Sequence, residues 1–155
     1  MAEQKAGVPG YYPPVGFHFQ VSFINLAGVQ DNDARFQEVS GLSAEINTEE
    51  VVEGGENRFS YRLPTRAKYG NLILKRGMLT DSGLIGWFRD AVENFDFTPS
   101  DLLVTLLNEK HQPLAGWKFL KAWPVKWAIS DFKAQEGAVV VETVELAYTF
   151  FKRTD

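Results

Sequence analysis

Apolar residues alternate with polar ones along most of this chain, and this period of two constrains the fold more than any other feature of the sequence. Successive side chains of a β-strand point to opposite sides, so the alternation is typical of strands with one buried face. Residues that favour turns separate the segments. The predicted strands, which include one continuous apolar run at 102–107, are 16–26, 36–42, 46–52, 58–63, 71–78, 102–107, 115–129 and 139–151.

One segment, from 83 to 94, shows the spacing of an amphipathic helix instead. Its apolar residues recur every three or four positions, and Asp81 or Ser82 is available as the N-cap. We expect the sheet to cover the apolar stripe, which consists of Leu84, Trp87, Phe88, Ala91, Val92 and Phe95. The predicted fold is therefore mainly β (α+β), a β-sandwich or partly closed barrel with one packed α-helix.

The length of 155 residues suits a single domain over 1–155, with 1–14 as a flexible N-terminal tail. That tail has the pattern of neither a secretory signal nor a membrane span. The sequence contains no cysteine, which excludes disulfides and thiolate sites. A net charge of -4 argues against a general affinity for nucleic acid or for anionic membranes.

No set of residues shows a recognisable catalytic or metal-binding pattern. The two histidines, His18 and His111, have no partner at ligand spacing in the sequence, and we interpret them as surface residues. The run Asp31-Asn32-Asp33 does not match a calcium-binding loop, because Phe36 stands where the glycine of the sharp turn belongs. We therefore expect a protein without enzymatic activity and without a cofactor.

Two charged segments have alternative interpretations. Tryptophan and lysine interleave between 117 and 127, which also suits stacking on single-stranded nucleic acid. We favour packing, because the tryptophans share one parity and Lys118 and Lys126 fall on the other. Glutamates also surround Gly54-Gly55 in a long polar hairpin or loop. A solvated loop is favoured there over a cation site, and contact with a basic partner stays open.

A sheet with this many strands and one helix has open edges, which must be covered, charged or paired with another chain. Head-to-tail contacts that close on themselves pair such edges between copies. The second face of the last predicted strand is small and polar, as the wall of a water-filled interior is, and consists of Thr143, Glu145, Ala147 and Thr149. We therefore expect subunits that join into a continuous β-barrel ring.

A series of motifs, in order along the chain, resembles the tail tube proteins of contractile phages and phage-tail-like injection systems. The motifs lie between Val15 and Arg153, nearly the whole chain. They are FQEVSGL at 36–42, EGGEN at 53–57, Leu63-Pro64, LILKRG at 72–77, Trp87 on the helix, AWPVKW at 122–127 and ETVELAY at 142–148. One departure is Thr65, which stands where such proteins often have glycine.

The resemblance implies a structural inner-tube subunit whose hexameric rings stack into a hollow tube inside a contractile sheath. Its partners would be further copies of itself and sheath and baseplate proteins, with cargo or DNA passing through the lumen without sequence-specific binding. Assembly would occur in the bacterial cytoplasm, as part of a virion or of an extracellular or membrane-anchored injection particle. Two alternatives stay open, a tube-initiator or adaptor ring at the baseplate and a secreted binding module.

The resemblance also implies roles for two groups of residues. The segment 49–61 would be an extended hairpin that reaches a neighbouring ring. Its ring-stacking residues would be Glu49, Glu50, Glu53, Gly54, Gly55, Glu56, Asn57 and Arg58. The polar residues Thr143, Glu145 and Thr149 are the candidates for lining the lumen.

Overall fold

The computed structural model of the protein describes residues 18–26, 28–29, 35–77, 82–130 and 140–154. The predicted tail, the Asp31-Asn32-Asp33 run and Asp81 lie outside these residues. The described part contains ten strands and one helix. In chain order they are β1 His18–Ile24, β2 Arg35–Phe36, β3 Glu38–Ser40, β4 Ala44–Val51, β5 Tyr61–Tyr69, β6 Leu72–Gly77, α1 Gly83–Glu93, β7 Ser100–Leu107, β8 Pro113–Ile129, β9 Val141–Ala147 and β10 Phe150–Thr154.

Eight of the strands form one antiparallel sheet in the order β2-β1-β7-β8-β9-β6-β3, with β10 paired to β8. The long strand β8 pairs with β7 and β10 through its first half and with β9 through its second half. The end strands β2 and β3 are consecutive in the chain, and between them the Gln37 N–H donates to the Lys75 carbonyl oxygen at 2.9 Å. The sheet therefore curves back on itself without closing its hydrogen-bond ladder, which confirms the predicted mainly β, partly closed fold.

The core lies inside this curved sheet and is closed by α1. The predicted alternation is confirmed in β6 and β9, and burial also alternates along most of β7, which was predicted only as a continuous apolar run. The inward residues of these three strands are almost fully buried. Leu84, Trp87, Phe88 and Ala91 of α1 cover them. The Ser82 side chain caps the helix by accepting from the Leu84 N–H at 3.2 Å. The core residues include Val21, Leu72, Leu74, Leu102, Val104, Phe119, Val144 and Leu146.

The predicted helix stripe is wrong at its far end. Val92 is 79% exposed and Phe95 is 82% exposed. The buried residues of α1 follow a spacing of three and four, and Val92 lies one position off the last of them, on the side of the helix. Phe95 lies beyond the C-cap Asn94 and has a φ of 50°, so the chain has already turned away from the helix axis.

The long apolar face predicted for β8 is wrong beyond Lys121. Leu120 and Lys121 together stand opposite Asp101 of β7, which defines a β-bulge. Lys121 has a φ of 56°, and its N–H donates to the Asp101 carboxylate at 3.0 Å. One extra residue reverses which parity faces the core, so that Phe119 is buried before the bulge and Ala122 after it. The residues thereby moved to the outside are Trp123 and Val125, whereas a second register shift between Pro124 and Lys126 places Trp127 opposite the buried Val144 again.

Three predicted element boundaries also differ from the structure. The predicted loop at 64–70 is part of β5, because Pro64 lies in a two-stranded ladder that tolerates a missing N–H. The ladder shifts register there, and the Thr65 hydroxyl donates to the Asn47 carbonyl oxygen at 3.0 Å. The predicted strand 36–42 is divided at Gln37, and 139–151 is divided between β9 and β10.

A buried ion pair joins the sheet to the helix. Arg76 of β6 and Glu142 of β9 are cross-strand neighbours, and the Arg76 Nε donates to Glu142 Oε2 at 2.9 Å. The other Glu142 oxygen accepts from the Trp127 indole at 2.6 Å. Arg76 Nη2 also donates to the hydroxyl of the N-cap Ser82 at 2.7 Å. Three strands and the start of α1 are therefore held by one set of hydrogen bonds.

Candidate assembly surfaces

The exposed hairpin predicted near residue 50 is present and consists of β4 and β5. These strands pair only with each other in the described residues, so the hairpin stands apart from the main sheet. All residues of β4 and all of β5 except Tyr69 are exposed. Tyr69 anchors the base, because its ring packs edge-on against Phe151 at 5.3 Å between ring centres. The hairpin is thus tethered at one end and free at the other.

The tip of the hairpin is a tight turn. The Glu56 N–H donates to the Glu53 carbonyl oxygen at 3.2 Å, and Gly55 has a φ of 91°, which glycine adopts without strain. Arg58 donates to both carboxylate oxygens of Glu56, at 2.9 and 3.1 Å. These hydrogen bonds lower the pKa of Glu56. Water surrounds the pair, so it shapes the tip and adds little to stability.

The acidic residues of the hairpin have basic neighbours within the hairpin itself. Glu50 lies opposite Arg62 and Glu45 lies opposite Lys68 in the ladder. The Ser60 hydroxyl also donates to the Glu50 carboxylate. Opposite charges at facing positions stabilise a strand pair. Sequence analysis identified the acidic residues and missed this compensation, because it depends on the register of β5.

Apolar side chains are also exposed on the hairpin. Val52 is 71% exposed and Ile46 is 65% exposed, and about half of the surface of Phe59 and Leu63 is accessible. The Phe59 ring packs edge-on against Tyr61 with 5.2 Å between the ring centres. A two-stranded hairpin has little stability alone, and exposed apolar residues on it favour contact with another surface.

A second apolar surface lies where α1 passes the second half of β8. The two elements border a groove of about 560 Å³. Its walls are Ile85, Phe88, Arg89, Val92, Glu93, Pro124, Val125, Lys126 and Trp127. Next to the groove, the Phe97 ring contacts Phe95 at 4.9 Å and Trp123 at 5.5 Å between ring centres. The bulge at Lys121 contributes to this surface by moving Trp123 and Val125 to the outside.

Two strand edges beside these surfaces have no partner among the described residues. The second half of β8 pairs with β9 on one side. On its other side the pairing with β7 ends at Ala122, so that edge is unpaired beyond this residue within the described part of the chain. Strand β10 pairs with β8 on one side and has no described neighbour on the other. Unpaired N–H and C=O groups along such edges bind the backbone of another strand.

The candidate lumen residues occupy two different settings. Thr143 and Glu145 lie on the outer face of β9, opposite Lys75 and Ile73 of β6. Thr149 lies in the break between β9 and β10, is exposed, and donates its N–H to the Leu120 carbonyl oxygen at 2.9 Å. The structure therefore brings Thr143 and Glu145 onto one polar face and leaves Thr149 apart from them.

The structure also brings together two residues that sequence analysis treated as separate. His18 Nε2 lies 2.8 Å from His111 Nδ1, although 93 positions separate the residues in the chain. No spacing in the sequence predicts this contact, because it depends on the pairing of β1 with β7. No helix of the described residues is long and apolar enough to cross a membrane.

A comparison with protein families bears on what these surfaces do. The family model described as T4-like virus tail tube protein gp19 matches residues 15–152. This chain belongs to that tail tube family. The resemblance to tail tube proteins stated above is thereby confirmed. The chain matches no curated protein sequence.

Solved structures with a similar fold include chains of contractile injection systems. A chain of the anti-feeding prophage baseplate superposes with a TM-score of 0.77 at 28% identity, covering 96% of the tail tube protein and 97% of that chain. A chain of the PVC sheath-tube complex superposes with a TM-score of 0.76 at 22% identity, and the match covers 94% of this protein and 93% of that chain. Hcp1 from Salmonella typhimurium superposes with a TM-score of 0.55 at 14% identity, and the match covers 89% of this protein and 85% of Hcp1. The tail tube protein is therefore a phage-tail-like structural protein of the contractile injection type.

Proposed function

We propose that this protein is the inner-tube subunit of a contractile injection particle, and that its copies form stacked hexameric rings around a hollow lumen. The observation that carries the proposal is the pair of unpaired strand edges on β8 and β10, one of them beside an exposed apolar groove. Backbone pairing between copies would satisfy both edges, and it would cover Val125 and Trp127.

Stacking of one ring on the next would use the β4–β5 hairpin. The hairpin extends from the sheet, exposes apolar side chains along its length and ends in the Glu53 to Arg58 tip. Its charges are balanced across the ladder, so apolar contact and backbone pairing would contribute more to stacking than net attraction. The polar outer face with Thr143 and Glu145 would line the lumen, through which cargo or DNA passes without sequence-specific contacts.

The proposed partners are inferred from the assemblies in which the similar chains were solved. One of those chains comes from a baseplate and another from a sheath-tube complex. Sheath and baseplate proteins would accordingly surround and seat the tube. Assembly would occur in the bacterial cytoplasm, before the particle acts as a virion, a released injector or a membrane-anchored one. The role is structural, since shape and assembly account for the described surfaces.

Electron microscopy of the purified chain tests ring formation. Rings with six-fold symmetry are expected from the native sequence, and their absence across concentrations would contradict the proposal. Replacing Val125 with Lys places a charge in the groove beside the β8 edge and is expected to leave folded monomers. Leu114→Lys is the matched control, because Leu114 also lies on β8 and both side chains are 46% exposed.

Deleting 53–57 tests the stacking role of the hairpin tip. The expected product is a folded subunit that still forms single rings and no longer forms tubes. Gly54→Ala is the control, because no atom lies within 4 Å of the added methyl position. Tubes of normal length from the deletion variant would show that the tip is not needed for stacking.

A second candidate function is an adaptor or initiator ring at the baseplate. The similar chain with 28% identity comes from a baseplate, which favours this alternative. Copy number in purified particles separates the two, since a tube subunit is present in many rings and an adaptor in one. A secreted binding module would instead remain monomeric and bind its ligand in the groove.

A further inference from the structure

The contact between His18 and His111 is held by two rigid parts of the fold. His18 lies on β1 opposite Leu107, within a ladder that pairs every residue of β1 with β7. His111 lies in the turn between β7 and β8. The two imidazole rings approach edge to face, with 4.6 Å between their centres and 72° between their planes.

The turn that carries His111 is built around the Asn108 side chain. Its carbonyl oxygen accepts from the N–H groups of Lys110 and Gln112, both at 2.9 Å. The His111 N–H donates to the Asn108 backbone oxygen at 3.0 Å, and His111 has a φ of 59°. A left-handed conformation is uncommon for a residue other than glycine, and here the surrounding hydrogen bonds hold it. The imidazole of His111 is thus directed toward β1.

The contact has the geometry of a hydrogen bond between the two imidazoles, and its distances also suit a shared metal ion. Two metal–imidazole bonds of about 2.0 Å at a right angle put the nitrogens about 2.8 Å apart and the ring centres about 4.5 Å apart. A linear N–H···N bond of the same length would separate the ring centres by about 5 Å. The observed 2.8 and 4.6 Å match the right-angled arrangement.

We propose that His18 and His111 chelate one divalent transition-metal ion that prefers tetragonal nitrogen ligands, with Cu²⁺ bound most tightly. Imidazole is a good ligand for such ions, and Cu²⁺ stands highest in the affinity order of the first-row divalent metals. No group of three or more His, Asp or Glu residues that could hold a metal lies within the described residues. Water or a group from a neighbouring copy completes the coordination. The ion would fasten the β7–β8 turn to β1.

Titration of the full-length chain, prepared without a histidine tag, with Cu²⁺ tests the proposal by calorimetry and electron paramagnetic resonance. One ion per chain is expected, with a spectrum that shows two coordinated imidazole nitrogens. Because loss of a supporting partner already weakens metal sites about 10-fold to 100-fold, His18→Gln and His111→Gln should each weaken binding by at least about 10-fold. Gln20→Ala is the matched control, since Gln20 is exposed on the same face of β1.

Urea unfolding provides a readout that does not depend on the spectrum. Excess Cu²⁺ should raise the unfolding midpoint of the native chain and of Gln20→Ala, because an ion that binds the folded state alone stabilises it. It should not raise the midpoint of either histidine variant. Equal Cu²⁺ affinity in the native chain and both variants would place the ion elsewhere and overturn the proposal, as would the absence of binding to the native chain.

Discussion

Arg76 and Glu142 are the two charged side chains that are buried within the described residues, and their surroundings explain why the core tolerates them. Each carboxylate oxygen of Glu142 accepts a hydrogen bond, one from Arg76 and one from Trp127. The Arg76 guanidinium also lies 5.0 Å from the centre of the Phe36 ring. A buried pair whose hydrogen bonds are satisfied contributes little net stability, whereas removal of one partner leaves a buried charge without compensation.

We therefore expect Glu142→Ala to reduce the free energy of unfolding by about 3 to 5 kcal/mol, as judged by urea denaturation. Glu145→Ala is the control on the opposite face of the same strand, and a change within about 0.5 kcal/mol is expected there. Replacing Arg76 and Glu142 together with methionine should restore much of the loss. An equal loss of unfolding free energy in Glu142→Ala and Glu145→Ala would contradict this account.

Tyr148 links the break after β9 to Gly70, the residue that follows β5. Its hydroxyl donates to the Gly70 carbonyl oxygen at 2.6 Å. Burial raises the pKa of Tyr148 to about 12, and the nearby Tyr69 adds to the shift. The folded state therefore keeps the phenol proton at a pH where the unfolded chain has lost it.

This shift makes stability dependent on alkaline pH. Below pH 10 both states hold the proton, and between about pH 10 and 12 only the folded state does, so the free energy of unfolding falls as the pH rises. We expect Tyr148→Phe to unfold more readily at neutral pH and to lose less stability over that alkaline interval. The measurement is urea denaturation at a series of pH values, and an unchanged slope in the variant would refute the assignment to Tyr148.

At the scale of elements, the turn between β3 and β4 depends on Gly41. Its φ is 83°, and a Cβ atom there would lie 1.9 Å from the Asn71 carbonyl oxygen. The Ser43 N–H donates to the Gly41 carbonyl oxygen at 2.8 Å and so closes a tight turn. The backbone of the chain entering β4 thus lies directly against the chain entering β6.

Gly41→Ala should accordingly lower the free energy of unfolding by more than about 2 kcal/mol, since left-handed strain alone costs about 1 to 2 kcal/mol and the backbone clash adds to it. Gly54→Ala, in open space at the hairpin tip, is expected to change it by less than about 0.5 kcal/mol. Thermal unfolding of both variants is the test. A Gly41 variant as stable as the Gly54 variant would show that the two chain segments separate easily.

The elements also show which structural features can be predicted from this sequence. Strands β6 and β9 follow local alternation, so their inner and outer faces are predictable from their own residues. The continuous apolar run of β7 does not show which of its faces is buried. The reversal in β8 is not predictable, because the bulge at Lys121 depends on Asp101 in another strand. Likewise, the continuation of β5 through Pro64 depends on pairing with β4, whose ladder shifts register at that point. The His18–His111 contact depends on the order of the strands in the sheet. The buried charges Arg76 and Glu142 lie on the apolar parity of β6 and β9, and their burial was not predicted from the sequence.

At the scale of the whole molecule, the proposed ring makes a prediction about which polar face meets the enclosed lumen. Thr143 lies on the outer face of β9 and Val92 on an exposed side of α1. The native chain has no cysteine, so a single introduced thiol reports on one position. The position of the lumen is therefore accessible to chemical labelling.

We expect Thr143→Cys to react with a small maleimide in assembled tubes and to resist a reagent too large to enter the lumen. In the monomer, both reagents should react with Thr143→Cys. A thiol at Val92 serves as the comparison, because it shows whether the outside of α1 remains reachable after assembly. Rapid modification of Thr143→Cys by the large reagent in intact tubes would exclude this face from the lumen.

The two unpaired edges differ in kind and lie on opposite sides of β8. Strand β10 continues from β9 along one side, whereas the free part of β8 is on the side from which β7 departs. A two-fold dimer would join two identical edges and leave the other kind of edge unpaired. Pairing of the β8 edge of one copy with the β10 edge of the next is instead head-to-tail, so each added copy presents the same unpaired edge again. In the proposed ring, an incomplete arc would therefore keep one unpaired β8 edge and one unpaired β10 edge at its two ends, and a closed circle would leave neither.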